Sequence, residues 1–458
     1  MNLLKALFVI LNLWRPAFCK TAAFIRAKEL AIACLCSFNR KTITSMAIYL
    51  GRGQKLPIAD YKFYSEYKWN VEDLFNPILQ KALEYSSSDY ISVAADDTKI
   101  RKSGKKIPHA SWHADPLGPP FQTNLIWAQR YLQMSLLLPL YSSSENTPAR
   151  AIPIRFTLAP HIKKPGKKAT EEDWQNYKRL SKENNLSTTF VQEVKGLRQT
   201  LDSMGFEKKL LLMSCDGSFC NKNCMNIDDP RIIMIARCRK DAKLCFREEG
   251  RSRRFYSEKT FTPEEVRKDD SIPWQTKSFF YGGKWREIRY KEVKNILWRN
   301  GTKRKFLRLI VLAPLPYVRG GKRNYRDPAY LLTTGVDAPI EVLIQAYFDR
   351  WQIEYNHRDE KSILGVGEAQ VSNESSVKKQ PAFHVAVYSA LLLASVIAYG
   401  DKDHADFGPR PEWRKTPKRN TCRALIGLLR ATLLEEPEEL EELGITIPII
   451  SAILKHAA

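Results

Sequence analysis

The spacing of apolar and polar residues changes near residue 88, and the part of the chain before that point has the spacing of helices. Apolar side chains recur every three or four positions in "LLKALFVILNLW" and again in "VEDLFNPILQKALEY", as they do on the buried face of an amphipathic helix. Between these stretches, "CSFNRKTITSMAIYLG" has the pattern of a helix-turn-helix, with basic residues before a short helix. We therefore predict a helical, DNA-binding domain over residues 1–88.

Two stretches are apolar enough to raise the question of a membrane. The first, residues 3–14, is interrupted by "NLW" and followed by further helical spacing, which favours a buried N-terminal helix over a signal peptide. The second, "AFHVAVYSALLLASVIAYG", is of marginal length and contains His384, Tyr388 and Ser389. Polar residues at these positions favour a core helix over a membrane span, so we expect no membrane contact.

After residue 88 the pattern becomes that of short buried strands. "YISVAAD", "NLIWAQRYLQMSLLLPL" and "ARAIPIRFTLAP" are rich in apolar and β-branched residues and predict three strands. A helical stretch follows and stops at Gly205, and "KKLLLMSCDGSF" then predicts another strand that ends in an acid. This β-β-β-α-β order predicts a mixed α/β sheet over residues 89–230, completed by residues 336–400.

Residues 231–335 differ from the rest in charge and in pattern. Residues 231–330 contain 27 Lys or Arg against 11 Asp or Glu, so most of the excess charge of the chain lies there. The segment is rich in β-formers, and "FFYGGKWREI" predicts a hairpin that turns at Gly282 and Gly283. We interpret it as a basic, β-rich insertion in the sheet domain.

The stretch "YFDRWQIEYNHRDEK" predicts one helix with an unusual polar stripe. At about 100° per residue, Tyr347, Arg350, Glu354 and Lys361 fall on one narrow face. An ordinary surface ion pair between Arg350 and Glu354 is the alternative interpretation. After residue 400 the pattern predicts a charged linker and one amphipathic helix, "CRALIGLLRATLLEE", over residues 401–458.

The composition narrows the classes of function. The 458 residues are 44% hydrophobic, as in a globular protein, and carry a net charge of +23. Such a charge attracts polyanions, which indicates nucleic acid or, less well, an anionic membrane surface. The nine cysteines are odd in number and irregularly spaced, so they do not form a disulfide framework. Those between residues 215 and 245 include neither a C-x-x-C pair nor a nearby histidine, which favours free thiols over a zinc site.

Three carboxylates are candidates for chemistry. Asp97, or its neighbour Asp96, and Asp216 each end a predicted strand, and Glu354 lies on the later helix. Because the carboxyl ends of strands meet at one edge of an α/β sheet, we expect these acids to converge. Hard oxygen ligands suit Mg²⁺ or Mn²⁺, and two such ions about 4 Å apart support phosphoryl transfer.

The basic insertion is the candidate DNA surface of the sheet domain. Aromatic residues alternate with its cations, so bases can stack on rings while Lys and Arg hold phosphates. The alternative is a solvated basic sheet with core aromatics. We expect Arg237, Arg239, Trp285 and Trp298 to contact DNA.

The motifs together resemble those of a known family. Tyr347-x2-Arg350-x3-Glu354-x6-Lys361 matches the Y-R-E-K signature of bacterial insertion-sequence transposases of the DDE type. "DDT" and "CDG", each after an apolar strand, look like the first and second aspartate blocks of that group, and the blocks occur in the same order. The resemblance covers roughly residues 40–400.

The resemblance implies a ribonuclease H-like catalytic core and assigns roles to residues. Asp97, Asp216 and Glu354 would hold two Mg²⁺ or Mn²⁺ ions, Asp97 being chosen over Asp96 because the family's first aspartate directly precedes Thr. Tyr347, Arg350 and Lys361 would grip the DNA backbone. A tryptophan of the insertion, Trp285 or Trp298, would stack on a flipped base if the second strand is cut through a hairpin.

The reaction that the resemblance implies is cleavage of transposon ends and joining of the 3′-OH to target DNA. A homodimer would act on double-stranded DNA in the bacterial cytoplasm, at the nucleoid. Two alternatives share most of these features: a ribonuclease H-like DNA nuclease without strand transfer, and a catalytically silent, DNA-binding descendant. A membrane-surface protein would leave the three acids unexplained.

Overall fold

A computed structural model describes residues 1–52, 56–115, 118–119, 121–139, 149–249, 254–400, 413 and 420–435. The chain divides into two compact units. The helix-rich unit contains Met1–Ser86, Asp97–Asn185 and the described residues from Ile353 onward, and the sheet unit contains Ser87–Asp96 and Leu186–Gln352. The chain therefore passes between the units four times, directly after Ser86, Asp96, Asn185 and Gln352.

The described residues form thirteen α-helices. In chain order, α1 to α13 span Leu3–Asn12, Thr21–Cys36, Ile43–Tyr49, Ile58–Ser65, Glu72–Leu83, Glu171–Glu183, Leu186–Ser203, Lys222–Met225, Pro263–Lys268, Ile340–Asp349, Gln352–Ser362, Glu374–Tyr399 and Cys422–Glu435.

Fourteen strands accompany them in the described part of the chain. In chain order, β1 to β14 span Tyr90–Arg101, Ser111–Ala114, Leu125–Leu138, Arg150–Ala159, Leu210–Cys215, Ile232–Arg237, Leu244–Arg247, Tyr256–Phe261, Gln275–Tyr281, Lys284–Leu297, Phe306–Leu312, Pro316–Arg319, Lys322–Tyr325 and Ala329–Thr333. The protein is thus α/β with parallel and antiparallel strands, as predicted.

Helix α12 is the centre of the helix-rich unit. It is apolar on nearly every side, and α1, α2, α4 and α5 pack around it while its remaining face lies on β4. In the described residues it is the one helix long and apolar enough to cross a membrane, and 83% of its most apolar window is buried inside the protein. The predictions of a core helix here and of a buried N-terminal helix, α1, are confirmed.

The predicted domain boundaries differ from the division that the structure shows. Residues 1–86 do not form a unit of their own, because α1, α2, α4 and α5 need α12 to cover their apolar faces. Helix α13 also belongs here, and Arg430 donates hydrogen bonds to the carbonyls of Cys36 and Ser37 at 3.0 and 2.9 Å. The linker predicted before α13 lies outside the described residues, apart from Trp413 and residues 420–421.

The sheet unit is built on a mixed sheet. The first part of β1 pairs in parallel with β5, and β5 pairs in parallel with β6. Strands β14, β11 and β10 continue the sheet in antiparallel order. Apart from β12 and β13, which form a two-stranded sheet of their own, the described strands predicted as a separate insertion over residues 231–335 therefore share one sheet with β5. Helix α10 covers one face and completes a core with residues such as Leu343, Ile310 and Leu331.

Two local predictions have opposite outcomes. The β9–β10 hairpin is confirmed: it turns at Gly282 and Gly283, whose φ angles of +62° and +79° suit glycine. The single helix predicted through residues 347–361 is wrong. Helix α10 ends at Asp349, and the amide of Trp351 donates to the carbonyl three residues back rather than four, before α11 begins at Gln352.

Candidate active site

Asp96 and Asp216 lie side by side in the sheet unit. Strands β1 and β5 are parallel and pair Ala95 with Cys215, so the next residues along the two strands, Asp96 and Asp216, occupy neighbouring positions. The backbone of Asp216 is still extended, with φ −80° and ψ 177°. Because paired residues of neighbouring strands point to the same face, the two carboxylates share one face at the carboxyl edge of the sheet.

The buried thiol of Cys215, the last residue of β5, is influenced by the charges of both acids. Burial raises its pKa most strongly, and the charges of Asp96 and Asp216 raise it further, whereas Arg350 lowers it. Asp96, Asp216 and Arg350 therefore act on one point in the sheet unit. The structure thus brings the second aspartate block together with the arginine of the Y-R-E-K motif.

Tyr347 and Arg350 approach the same edge from the end of α10. The guanidinium of Arg350 lies 5.8 Å from the centre of the Tyr347 ring. Burial raises the pKa of Tyr347, the charges of Arg350 and Arg237 lower it, and that of Asp216 raises it. Arg237, the exposed last residue of β6, thus belongs to the same neighbourhood.

Arg350 is a buried cation with an incomplete set of partners. It is 7% exposed, and its Nε has no hydrogen-bond partner among the residues that the structure describes. Because leaving a buried charged donor unsatisfied is costly, such a group is expected where an anion binds. Arg350, which acts on the same thiol as Asp216, is therefore suited to receive an anionic oxygen.

Asp97 is engaged differently from its neighbour. It belongs to the helix-rich unit, where Arg130 of β3 donates from Nε to Oδ2 at 2.7 Å and from a terminal nitrogen to Oδ1 at 2.9 Å. The pair is partly shielded, with side-chain exposures of 13% for Asp97 and 32% for Arg130. Both oxygens of Asp97 therefore already face a cation, as is typical of a bidentate structural pair.

His113 lies in the environment of Asp97. Burial lowers the pKa of His113, the charges of Lys99 and Arg130 lower it further, and that of Asp97 raises it. Its Nε2 is 2.8 Å from the Ser111 hydroxyl.

Glu354 and Lys361 belong to α11, in the helix-rich unit. The opposite side of this helix is fixed by buried polar contacts: Asn356 donates to the Ala151 carbonyl at 3.0 Å, and Gln133 donates to Glu360 at 2.8 Å. At about 100° per residue, Glu354 and Lys361 lie within about 20° of each other and away from Asn356 and Glu360. Glu354 is half-buried and Lys361 is exposed.

The predicted DNA-binding residues of the basic segment differ in their exposure and in the contacts that they already make. Arg239 forms a bidentate pair with Asp241 on the surface, at 2.9 and 2.8 Å. Trp285, on β10, is 48% exposed and meets Phe280 edge to face at 5.9 Å. Trp298 is partly buried and packs so closely over Gly301 that an added Cβ would lie 2.0 Å from its ring. Of the two tryptophans, Trp285 offers more surface to a base.

The chemistry of the available donors suits a hard cation better than zinc. Burial raises the pKa of the Cys220 thiol to about 12 and that of the Cys224 thiol to about 11, so neither is a ready thiolate ligand. Asp96 and Asp216 supply the oxygen atoms that Mg²⁺ and Mn²⁺ prefer. Among the described residues, however, no group of three or more His, Cys, Asp or Glu side chains is arranged to hold a metal ion.

Sequence reasoning missed Arg130, because no motif marks it. Only the packing of β3 shows that this residue meets Asp97. A comparison with models of known protein families finds no match to the chain, and a comparison with curated proteins finds none that is significantly similar.

Proposed function

We propose that the protein is a DDE-type DNA transposase with a ribonuclease H-like core. It cleaves transposon ends and joins the 3′-OH to target DNA. One observation carries the proposal: Asp96, Asp216, Tyr347 and Arg350 act on a common neighbourhood at the carboxyl edge of the sheet unit. The order and spacing of the Y-R-E-K residues and the two aspartate blocks add independent support.

The metal ligands in this proposal are one aspartate of the "DDT" block together with Asp216 and Glu354. Mg²⁺ or Mn²⁺ bound there would activate a water or a 3′-OH and stabilise the leaving oxygen. Sequence reasoning selected Asp97, but the pairing of β1 with β5 and the bond from Arg130 to Asp97 favour Asp96 as the partner of Asp216. We therefore assign the metal to Asp96 and a structural role to Asp97.

The remaining residues of the site bind and orient DNA. The incompletely satisfied guanidinium of Arg350 receives a phosphate oxygen, and the Tyr347 ring beneath it fixes the plane of the guanidinium. Lys361, exposed on the same face of α11 as Glu354, contacts the backbone further along. The enzyme acts as a homodimer, because synapsis brings two DNA ends together, and it works on the bacterial nucleoid.

A specific observation favours a second candidate, a catalytically silent DNA-binding descendant. Among the described residues, no three His, Cys, Asp or Glu side chains are grouped to bind a metal ion, and the carboxylate of Asp97 accepts a hydrogen bond from Arg130. The net charge of +23 would serve such a protein equally well. The two candidates differ in whether DNA is cut.

A cleavage-and-joining assay tests the proposal. Purified protein is incubated with labelled transposon-end DNA and Mg²⁺ or Mn²⁺, beside the variants Asp96→Asn, Asp97→Asn, Asp216→Asn and Glu354→Gln. We expect metal-dependent 3′ nicks and joined products, reduced at least about 100-fold by Asp96→Asn, Asp216→Asn and Glu354→Gln, because each removes a ligand charge. Asp97→Asn should keep most of the cleavage.

The control is Glu207→Gln, which removes one exposed carboxylate at the amino end of β5, and it should leave cleavage unchanged. Nicking without joining would indicate a nuclease rather than a transposase. Salt-sensitive binding without cutting in any metal would establish the silent descendant. Full activity of Glu354→Gln would contradict the assignment of the site.

A further inference from the structure

A two-stranded hairpin next to the candidate site has no assigned role. Within the described part of the chain, strands β12 and β13 pair only with each other, and their two-residue turn consists of Gly320 and Gly321. The φ angles of these glycines are +57° and +75°, the left-handed values of a type I′ turn. We call residues 316–326 the basic hairpin.

The basic hairpin carries cations on an exposed framework. It contains Arg319, Lys322, Arg323 and Arg326 and no acidic residue. All four are exposed, and so are Tyr317, Val318 and Tyr325, with Val318 at 72% and Tyr325 at 57%.

The charges of the basic hairpin oppose its folding. Arg319 lies directly across from Lys322 in the strand register, and like charges in that position repel. An isolated two-stranded hairpin is marginally stable in water even without such repulsion. The sequence of this segment is therefore not explained by stability, and a polyanion would relieve the repulsion.

The base of the basic hairpin adjoins the end of α10. The amide of Arg326 donates to the Leu315 carbonyl at 2.9 Å, which extends the strand pairing by one residue pair. The guanidinium of Arg326 lies 5.8 Å from the ring of Tyr317 and 5.8 Å from the ring of Trp351. Trp351 directly follows Arg350, so these stacked side chains join the hairpin to the segment that carries the buried guanidinium.

We propose that the basic hairpin enters the major groove of the DNA duplex that flanks the cleavage position. The groove of B-form DNA is about 12 Å wide and admits a two-stranded ribbon. Each strand of the hairpin has four residues and is about 13 Å long at ~3.4 Å per residue. Arg319 and Lys322 at the tip each contact a phosphate at the groove edge, while Arg326 holds the base of the hairpin in place.

The same ribbon does not fit the deep, narrow major groove of an A-form RNA duplex. The claim that the hairpin binds beside the cleavage position rests on the proposed function. The claim that the hairpin binds duplex DNA is independent of the proposed function.

Salt-dependent binding tests the inference without any cleavage. A fluorescein-labelled 30-base-pair DNA duplex is titrated with the full chain in EDTA at several salt concentrations, comparing wild type with the double variant Arg319→Gln/Lys322→Gln. Each lost phosphate contact makes the negative slope of log K against log salt shallower by about 0.9, so a slope that is shallower by about 1.8 and a loss of about 30-fold in affinity at 0.15 M salt are expected. Both residues are exposed, so the fold should not change.

The matched control is Lys195→Gln/Lys208→Gln. It removes the same charge from exposed positions of the sheet unit, on α7 and before the amino end of β5. The inference holds if the hairpin variant loses affinity and slope while the control changes by less than threefold. Equal losses of affinity in the two variants would mean that the hairpin contributes only through the general positive charge of the protein, and this result would overturn the inference.

An A-form RNA duplex of the same length is the second probe. Equal loss of RNA and DNA binding in the hairpin variant would contradict a major-groove contact. Because binding is measured in EDTA, the hairpin result stands whatever the cleavage assay shows. A protein that does not cut but loses DNA affinity through the hairpin would retain this inference and lose the proposed function.

Discussion

The bond between Asp97 and Arg130 gives the sharpest test of the candidate site, because it is one of the two reasons for favouring Asp96 as the metal ligand. We propose a double-mutant cycle of Asp97→Asn, Arg130→Gln and the double variant. The cycle isolates the coupling energy of this pair, whatever other contacts each residue makes.

The magnitude follows from geometry and exposure. Two charge-assisted hydrogen bonds of 2.7 and 2.9 Å join the side chains. Hydrogen bonds to charged groups contribute about 1.5–3 kcal/mol, whereas fully exposed pairs contribute about 0.2–1 kcal/mol. Asp97 is 13% exposed and Arg130 is 32% exposed, so the pair lies between these limits. We expect a coupling energy of about 1.5 kcal/mol.

Urea unfolding followed by circular dichroism, at pH 7.5 and in 0.15 M salt, measures the free energies. Unchanged slopes against urea would show that the substitutions alter stability rather than the unfolded state. A coupling energy below about 0.3 kcal/mol would mean that the pair contributes no more than a weak, fully exposed ion pair and does not hold Asp97 firmly. The argument for Asp96 would then rest on strand register alone, and Asp97 would again be the first choice.

Two further predictions concern packing. His384 is fully buried, its Nδ1 lies 3.1 Å from the Leu364 carbonyl, and burial lowers its pKa to about 4. Its usual pKa is about 6.5, so the unfolded state binds more protons between pH 6.5 and 4. The free energy of unfolding should therefore fall by about 2 kcal/mol on acidification from pH 7 to pH 5. The variant His384→Gln should lack this component in urea titrations at the two pH values, and an unchanged pH dependence would contradict the assignment. Gly301→Ala places a methyl group against the Trp298 ring and should cost about 1–3 kcal/mol in urea unfolding. The control Gly196→Ala has open space around it on α7 and should be neutral or stabilising, so equal effects of the two substitutions would refute the clash.

Much of the secondary structure was determined by local sequence. The apolar spacing in α1, α5 and α12 predicts their helices, because a helix that buries one face or all faces must repeat its apolar residues accordingly. The apolar runs of β1 and β5, each followed by an acid, predict strands, but β1 does not end at its acids and continues past Asp96 and Asp97 to Arg101. The pair Gly282–Gly283 predicts its turn because two successive positive φ angles favour glycine.

Part of the candidate site could also be predicted from the sequence. The spacing of Tyr347 and Arg350 predicted that they lie together, and the structure places both in the electrostatic neighbourhood of Asp216. The choice between Asp96 and Asp97 could not be made reliably. The two residues are adjacent in the chain, and only their neighbours on other strands distinguish them.

The tertiary structure decided what depends on contacts between distant segments. No glycine or proline in the sequence marks the break between α10 and α11. Arg350, at the break, is buried, and α11 is fixed by hydrogen bonds of Asn356 and Glu360 to distant strands. The grouping of the N-terminal helices with α12 depends on which apolar faces cover one another. A sequence determines which faces must be buried, whereas only the folded chain determines which partners bury them. Only the folded chain also determines which of two adjacent carboxylates is paired with an arginine and which lies beside a neighbouring strand's acid.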